Sequence, residues 1–299
     1  PCRRTPPPRR WPALGQASAG TVTAKAGAWT FHEPRFAYEA RFDDAEWPWT
    51  GHRRFVYDLV RNTGPETIVE LGTHRGTSFF AFCQAIQDGR LGTRIHAVDT
   101  WRGDAQAGFY GDEVFAEVRD IQRALYPEVA AVFVRKTFDA ALEDFPDGSI
   151  DILHIDGLHT YAAVRHDFET WLPKVRADGI VLLHDIAVTR GDFGVHRFWA
   201  ELRGSRAVLE FRQSYGLGVL LQGAAGALAD RREELELRYA WQAEDLRNSK
   251  LAKMRATIQR QERELARLRA TPCGFGLKCW DRGLGLQRNA WRRLRPPGA

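Results

Sequence analysis

The fold is decided by one short stretch of the chain, residues 67–78, which reads TIVELGTHRGTS. Its first five residues, Thr67–Leu71, have the length and apolar character of a short strand, and residues 77–87 then place apolar side chains on one side of a predicted helix. Gly72 and Gly76 lie in the turn between them, where the missing side chain lets the backbone approach a ligand closely. Open α/β folds bind nucleotides at such strand-to-helix turns, at the carboxyl edge of the sheet. A tight structural turn without a ligand is the alternative.

The rest of the chain continues this alternation of strand and helix. Further strands are predicted at 94–98, 130–134, 150–155, 179–183, 208–212 and 218–221, and further helices at 52–62, 113–125, 140–145, 161–174 and 195–202. Alternation at these lengths predicts an α/β fold with a doubly wound, mostly parallel sheet. The last two strands flank a turn at residues 214–216, so we expect a seven-stranded, Rossmann-like sheet with one antiparallel edge.

A second signal is an acid at the end of the second predicted strand. Asp99 lies there, 29 residues after Glu70. A carboxylate in this position can accept hydrogen bonds from both hydroxyls of an adenosine ribose, and Trp101 can stack on or flank the adenine. A turn cap is the alternative role for Asp99. The glycine spacing, Glu-x-Gly-x-x-x-Gly, is not the dinucleotide fingerprint and lacks the ending of a phosphate loop. The pattern therefore disfavours a dehydrogenase.

Acids and histidines also follow the fourth and fifth predicted strands. Asp156 and His159 come after the fourth strand, and His184 and Asp185 end the fifth. These strand ends are neighbours in such a sheet, so the four side chains should converge on one crevice. Their oxygen atoms suit Mg²⁺, or Mn²⁺ if a histidine joins them. The alternative is a helix cap beside a packed histidine. We expect His154 to face the opposite side of its strand.

Residues 70–78, followed by Asp99, resemble the cofactor half of the class I S-adenosylmethionine-dependent methyltransferases. The order of strands and helices over residues 64–222 is similar to theirs as well. The resemblance implies an enzyme whose cofactor is S-adenosylmethionine, with Gly72 and Gly76 facing the methionine part and Asp99 facing the ribose. The cofactor site that it implies comprises Glu70, Gly72, Thr73, His74, Gly76, Asp99 and Trp101.

The spacing from Asp156 to His159 resembles the metal-dependent O-methyltransferases that act on antibiotic sugars, the macrocin and mycinamicin type. By that resemblance Asp156 binds the metal, with His184 and Asp185 as further ligands, and His159 is the catalytic base. A divalent ion lowers the pKa of a poorly nucleophilic sugar hydroxyl, and an imidazole can then take its proton. Catechol methyltransferases carry a third ligand where this chain has Ile186, so His184 or water must fill that place.

We therefore expect an O-methyltransferase that acts on a hydroxyl of a sugar, a glycan or a glycosylated natural product with help from a divalent metal. A phenolic or other small-molecule acceptor is one alternative. A noncatalytic scaffold that assembles partners through its C-terminal helix is another, but a degenerate scaffold should have lost the acidic and glycine positions that this sequence retains.

After residue 226 the composition shifts to Glu, Arg, Leu and Ala, and residues 229–270 are predicted to form a helical, coiled-coil-like segment. We expect it to join copies of the chain into a homo-oligomer; a single amphipathic helix lying on the domain is the alternative. Because the predicted sheet is complete at residue 222, a domain over 28–222 should fold without this segment. The seam consists of Leu251, Met254, Ile258, Gln261, Leu265 and Leu268, and a similar seam out of phase with it is formed upstream by Leu235, Tyr239, Gln242 and Leu246.

Both ends of the chain are basic, and residues 1–27, which lack periodicity, are predicted to be disordered. Contact of these tails, 1–27 and 271–299, with nucleic acid or anionic membrane is less favoured than simple solubilisation. The sequence holds no apolar run of spanning length, no signal-peptide core, and four cysteines without a zinc spacing. We expect a cytoplasmic protein with reduced thiols. The chain begins at Pro1 and not at methionine, which indicates truncation or processing.

Overall fold

A computed structural model describes residues 29–39, 48–204, 207–223 and 226–270. The predicted tails at 1–27 and 271–299 lie outside these ranges. Within them, the chain forms nine strands: β1 (Thr67–Leu71), β2 (Arg94–Val98), β3 (Gly103–Asp104), β4 (Gly108–Phe109), β5 (Ala130–Val134), β6 (Ile150–Ile155), β7 (Val175–His184), β8 (Ala207–Phe211) and β9 (Leu217–Leu221).

Seven of these strands form one sheet in the order β5-β2-β1-β6-β7-β9-β8. The pairs β5–β2, β2–β1, β1–β6 and β6–β7 are parallel, while β9 runs antiparallel to both β7 and β8. The prediction of a mostly parallel, seven-stranded sheet with an antiparallel edge is confirmed. The remaining strands, β3 and β4, form a small separate hairpin where the sequence showed no strand pattern.

Helices cover both faces of the sheet. They are α1 (Arg53–Thr63), α2 (Thr77–Gly89), α3 (Asp112–Leu125), α4 (Phe138–Ala141), α5 (Tyr161–Trp171), α6 (Val195–Arg203), α7 (Gly226–Ala229) and α8 (Arg232–Ala270). Alternate residues of each strand enter two different apolar clusters: Ile68 packs with α1 and α2, whereas Val69 packs with α5 and α6. Two apolar layers on one sheet are the physical basis of the doubly wound fold. None of the helices in the described ranges has the length and apolar character that a membrane span requires.

The start of α8 belongs to the core of the domain. Leu235 and Tyr239 are fully buried there. The Tyr239 hydroxyl donates a hydrogen bond to the buried carboxylate of Asp58, and the Trp29 indole N–H donates to the Tyr239 oxygen. The first compact unit accordingly extends to Glu244. Leu235 and Tyr239 belong to the segment 229–270, which the sequence analysis had treated as separate from the domain, yet they complete the core of the domain. Their burial argues against a domain that folds on its own over residues 28–222.

The second unit begins at Asp245 and includes the remaining turns of α8 up to Ala270. Most of its described side chains are exposed, and Leu265 on the predicted seam has 43% of its surface accessible. Most helical stability in proteins comes from packing an apolar face and not from intrinsic propensity.

We predict that Tyr239→Phe lowers the free energy of unfolding by about 1.5–3 kcal/mol, because the buried carboxylate of Asp58 loses the hydrogen bond that the tyrosine hydroxyl donates to it. Urea denaturation of the full chain measures this. Trp241→Phe, two residues further along the same helix and 69% exposed, should change stability by less than about 0.5 kcal/mol. A Tyr239→Phe variant as stable as the parent, or a stably folded chain ending at residue 228, would contradict this role of α8.

Candidate active site

A cavity of about 550 Å³ opens at the carboxyl ends of the parallel strands. Its volume is within the range of small-molecule sites, and its position is where open α/β sheets bind ligands. Nine of the sequence-predicted site residues line it: Gly72, Thr73, His74, Gly76, Asp99, Asp156, His159, His184 and Asp185. Glu70 and Trp101 are not among the lining residues.

The two glycines of the first turn are required by packing within the protein. Gly72 has φ +91°, and a Cβ atom there would lie 2.1 Å from the backbone oxygen of Asp156. Gly76 has φ +81° and precedes the first residue of α2; its Cβ would lie 2.6 Å from the ring of Phe80. Contacts this close exclude any side chain at either position. The glycines therefore hold the carboxyl ends of β1 and β6 together beside the start of α2.

The start of α2 has the character of an anion site. No side chain caps this helix, and its first residues, Thr77 and Ser78, line the cavity. The first amides of a helix have no partner within it, and the helix dipole favours negative charge there. Beside them lies Thr73, which is 3% exposed and whose Oγ1 has no hydrogen-bond partner among the described residues. These groups suit a bound carboxylate.

Asp99 is held rigidly at the cavity wall. Its Oδ2 accepts a hydrogen bond from the backbone N–H of His74 at 2.8 Å, and its Oδ1 accepts one from that of Trp101 at 2.7 Å. Asp99 therefore does cap a turn, as the alternative interpretation held. Each carboxylate oxygen has capacity for another donor, so the same side chain can still accept hydroxyl groups from the cavity.

Two residues predicted for the cofactor site lie elsewhere. The indole of Trp101 is completely buried against Phe115, with its N–H donating to the backbone oxygen of His74, so no ring face is left for an adenine. The carboxylate of Glu70 is equally buried and lies 3.0 Å from Nδ1 of His154. Both predictions of direct cofactor contact disagree with this placement. His154 is buried, but its ring lies 4.7 Å from that of Trp49, whose indole N–H donates to Asp156, so it does not face away from the acids as expected.

The acids and histidines of β6 and β7 converge as the sequence predicted. Nδ1 of His184 lies 3.2 Å from Oδ1 of Asp156 and 3.1 Å from Oδ2 of Asp185, and one ligand atom from each of the three lies within 4.8 Å of the others. Asp185 adopts φ +62°, an unfavourable backbone conformation for a residue with a side chain, which is typical of functional sites. Its Oδ1 is buried without a hydrogen-bond partner among the described residues.

The imidazole of His184 has a defined orientation. Its Nε2 lies 3.1 Å from the backbone oxygens of Pro48 and Ser214, which only accept hydrogen bonds, so Nε2 carries a proton. Nδ1 is then the atom directed at the carboxylates. Burial lowers the pKa of His184, but the neighbouring charges of Asp156 and Asp185 outweigh it and raise the pKa well above its usual value. An Nε2–H fixed by a carbonyl is also how metal-binding histidines are held.

His159 lies on the other side of the same carboxylates. Its Nε2 is 2.8 Å from Oδ2 of Asp185 and 3.4 Å from Oδ1 of Asp156, and its ring stacks on Phe193 with the centroids 4.7 Å apart. Burial opposes the charged form, but both carboxylates together raise the pKa of His159 to about 9. With the carboxylate charges uncompensated, His159 is therefore a protonated imidazolium at neutral pH.

The structure adds residues to the site that the motifs did not single out. The Trp49 indole N–H donates to Oδ2 of Asp156 at 2.9 Å, and its ring stacks on His184. Thr137 and Phe138 line the cavity directly after β5, and Gln106 lines it from the β3–β4 hairpin. Thr137 and Phe138 follow the carboxyl end of β5, so strand order could have pointed to them.

Part of the chain resembles known methyltransferases. Residues 69–186 match the family of methyltransferase domains. An uncharacterised protein of Sinorhizobium fredii, y4gI, is 45% identical over 185 residues, which are 62% of this chain and 20% of that protein. The chain thus spans about a fifth of the length of this relative. The family match agrees with the predicted methyltransferase class over residues 69–186.

Solved structures that are similar to this chain include methyltransferases. The SAH-bound methyltransferase PaMTH1 of Podospora anserina is 16% identical, with 57% of this chain and 78% of that chain covered and a TM-score of 0.44. The O-methyltransferase TomG of Streptomyces achromogenes, solved with SAM and involved in tomaymycin synthesis, is 17% identical, with 62% and 92% covered and a TM-score of 0.42. At these identities the likeness carries no information about the methyl acceptor.

Proposed function

We propose that this protein is an S-adenosylmethionine-dependent O-methyltransferase that methylates a hydroxyl group of a sugar, a glycan or a glycosylated natural product. The observation that carries the proposal is the cavity itself. One wall offers an uncapped helix start and Asp99, and the other offers Asp156, His184, Asp185 and His159. A cofactor site and an acid–imidazole cluster therefore share one space.

The residues present fit S-adenosylmethionine. The start of α2 and the unpaired hydroxyl of Thr73 would hold the methionine carboxylate, and Asp99 would accept hydrogen bonds from the ribose hydroxyls. The bound cofactor supplies an electrophilic methyl group on a sulfonium. The close packing at Gly72 contributes by fixing the turn that carries Thr73.

The cluster also fits a divalent metal. Two carboxylates and a histidine whose distal N–H is fixed by carbonyls form a donor set for Mg²⁺ or Mn²⁺, and the unpaired Oδ1 of Asp185 adds a further donor atom. A metal ion held by Asp156, His184 and Asp185 would supply Lewis acidity, which lowers the pKa of a hydroxyl, and positive charge, which offsets the carboxylates that otherwise keep His159 protonated.

His159 is then the proposed catalytic base. Its Nε2 lies beside the carboxylate pair, so a hydroxyl bound there can lose its proton to this nitrogen. Bound S-adenosylmethionine would supply the methyl group to this oxygen and would leave as S-adenosylhomocysteine, while His159 would keep the proton of the hydroxyl. The sugar class of acceptor rests on the resemblance of the Asp156–His159 spacing.

We also propose that copies of the chain associate through α8 beyond residue 245. The described seam residues Leu251 and Ile258 recur at a seven-residue spacing, and Leu265 continues it with 43% of its surface exposed. Burying such a seam against a second copy would provide the packing that an isolated helix of this length lacks.

The cofactor proposal predicts that Thr73→Val weakens S-adenosylmethionine binding roughly tenfold, the scale of one hydrogen bond to a charged group, without lowering stability. The hydroxyl has no hydrogen-bond partner within the described ranges, so we expect its removal to leave the stability of the fold unchanged. Thr160→Val is the matched control: its side chain caps α5, so stability should fall by about 0.5–2 kcal/mol while affinity is unchanged. Calorimetric titration and thermal denaturation measure both. No binding by the parent protein would remove the cofactor assignment.

The metal proposal predicts that Asp185→Asn weakens Mn²⁺ binding by about tenfold or more, because one anionic ligand is lost. Asparagine tolerates the left-handed backbone at this position, so the substitution tests charge and not strain. Asp120→Asn removes an exposed acid on α3, away from the cavity, and should leave affinity unchanged. Electron paramagnetic resonance of free Mn²⁺ gives the affinities. Equal affinities for all three proteins would exclude this cluster as the metal site.

The assembly proposal predicts that Ile258→Glu reduces the oligomer to a smaller species, because a charge would be buried in the seam. Gln259→Glu places the same charge one residue along, on an exposed position, and should leave the assembly intact. Light scattering after gel filtration separates the two results. A monomeric parent protein would contradict the proposal.

A further inference from the structure

The β3–β4 hairpin holds one side chain, Gln106, against the acid–imidazole cluster. Asp104 fixes the turn, because its Oδ1 accepts hydrogen bonds from the backbone N–H groups of Gln106 and Ala107 at 2.7 and 2.8 Å. Gly103 has φ +73°, and a Cβ atom there would lie 1.9 Å from the backbone oxygen of Gly108. The hairpin is therefore a defined turn that presents Gln106 to the cavity.

The orientation of the Gln106 amide follows from its two partners. Its oxygen lies 2.9 Å from the backbone N–H of His159, a group that can only donate. Its nitrogen donates to Oδ1 of Asp192 at 2.7 Å, and a carboxylate can only accept. Exchanging the amide oxygen and nitrogen would break both hydrogen bonds, so only this orientation of the Gln106 amide is compatible with its partners.

This orientation determines which nitrogen of His159 carries a proton. The same Gln106 oxygen lies 3.0 Å from Nδ1 of His159. Because that oxygen only accepts, Nδ1 must be the donor. Nε2 is thereby left as the nitrogen that faces Asp185 and Asp156. In the protonated ring Nε2–H donates to Oδ2 of Asp185 at 2.8 Å, and when the ring loses one proton, Gln106 retains Nδ1–H so that the lone pair forms on Nε2.

We propose that Gln106 is a positioning residue, which fixes His159 in the Nδ1-protonated form and so directs Nε2 at the reacting hydroxyl. The proposal rests on the function proposed above for His159. It also makes the orientation of the ring depend on the hairpin, since Gln106 joins this hairpin to His159 and to Asp192 in the segment before α6. Stacking on Phe193 restricts the plane of the ring but does not select a nitrogen.

The test is nuclear magnetic resonance of the full-length protein labelled with ¹⁵N-histidine. The parent should show a hydrogen-bonded Nδ1–H of His159 that exchanges slowly with water; its loss in His159→Gln assigns the signal. Gln106→Met keeps the side-chain length without an acceptor, so this proton should exchange at least about tenfold faster or disappear. Gln106→Glu restores an acceptor oxygen and should restore the signal. Gln87→Met, on the outer part of α2, should leave it unchanged.

A protected Nδ1–H that persists in Gln106→Met, or a parent ring protonated at Nε2 alone, would overturn the proposal. Titration of the same variants with S-adenosylmethionine keeps this result separate from the proposed function. Gln106→Met should bind the cofactor within about twofold of the parent. A parent that binds no cofactor would remove the proposed function, but the Nδ1–H signal would still test the role of Gln106.

Once an acceptor is known, kcat should fall about 10–100-fold in Gln106→Met, with an unchanged KM for the cofactor, and recover in Gln106→Glu.

Discussion

The close approach of Gly72 to the backbone of Asp156 is the contact on which the rest of the site depends. The Asp156 N–H donates to the Leu71 oxygen at 2.9 Å, and the next residue, Gly72, leaves no space for a side chain. The carboxyl ends of β1 and β6 are joined there. The same contact therefore positions both the turn into α2 and Asp156, the first acid of the cluster. The two halves of the cavity cannot separate without breaking the sheet edge.

That contact concentrates charge in a poorly solvated place. Two carboxylates and two imidazoles meet, and each imidazole directs one nitrogen at the acids and the other at an oxygen that only accepts. Protons on both rings balance the two negative charges, and so would one divalent cation bound in their place. The same geometry therefore serves an ion-paired cluster and a metal centre, because the distal nitrogens of His184 and His159 are fixed independently of what the proximal nitrogens face.

The sequence predicts those parts of the site that follow from strand order. Neighbouring parallel strands end at one edge, so the convergence of Asp156, His159, His184 and Asp185 needs only the alternation pattern. Strand order does not predict where the side chains of loop residues beyond a strand end will lie. Trp101 has φ +50°, which turns its indole into the core. Trp49 contacts Asp156, 107 residues away in the chain, and Gln106 contacts His159, 53 residues away. The periodicity of apolar residues does not predict either contact.

The same limit explains α8. Spacings of three and four place apolar residues on one helix face whether that face packs on its own domain or on another helix. Leu235 and Tyr239 pack on their own domain because Asp58 and Trp29 offer hydrogen-bond partners to the tyrosine hydroxyl. The spacing of apolar residues in α8 does not predict these hydrogen bonds. Removing the whole helix therefore removes part of the domain core together with the seam. Only substitutions beyond residue 245 can separate the contribution of α8 to folding from its proposed contribution to assembly.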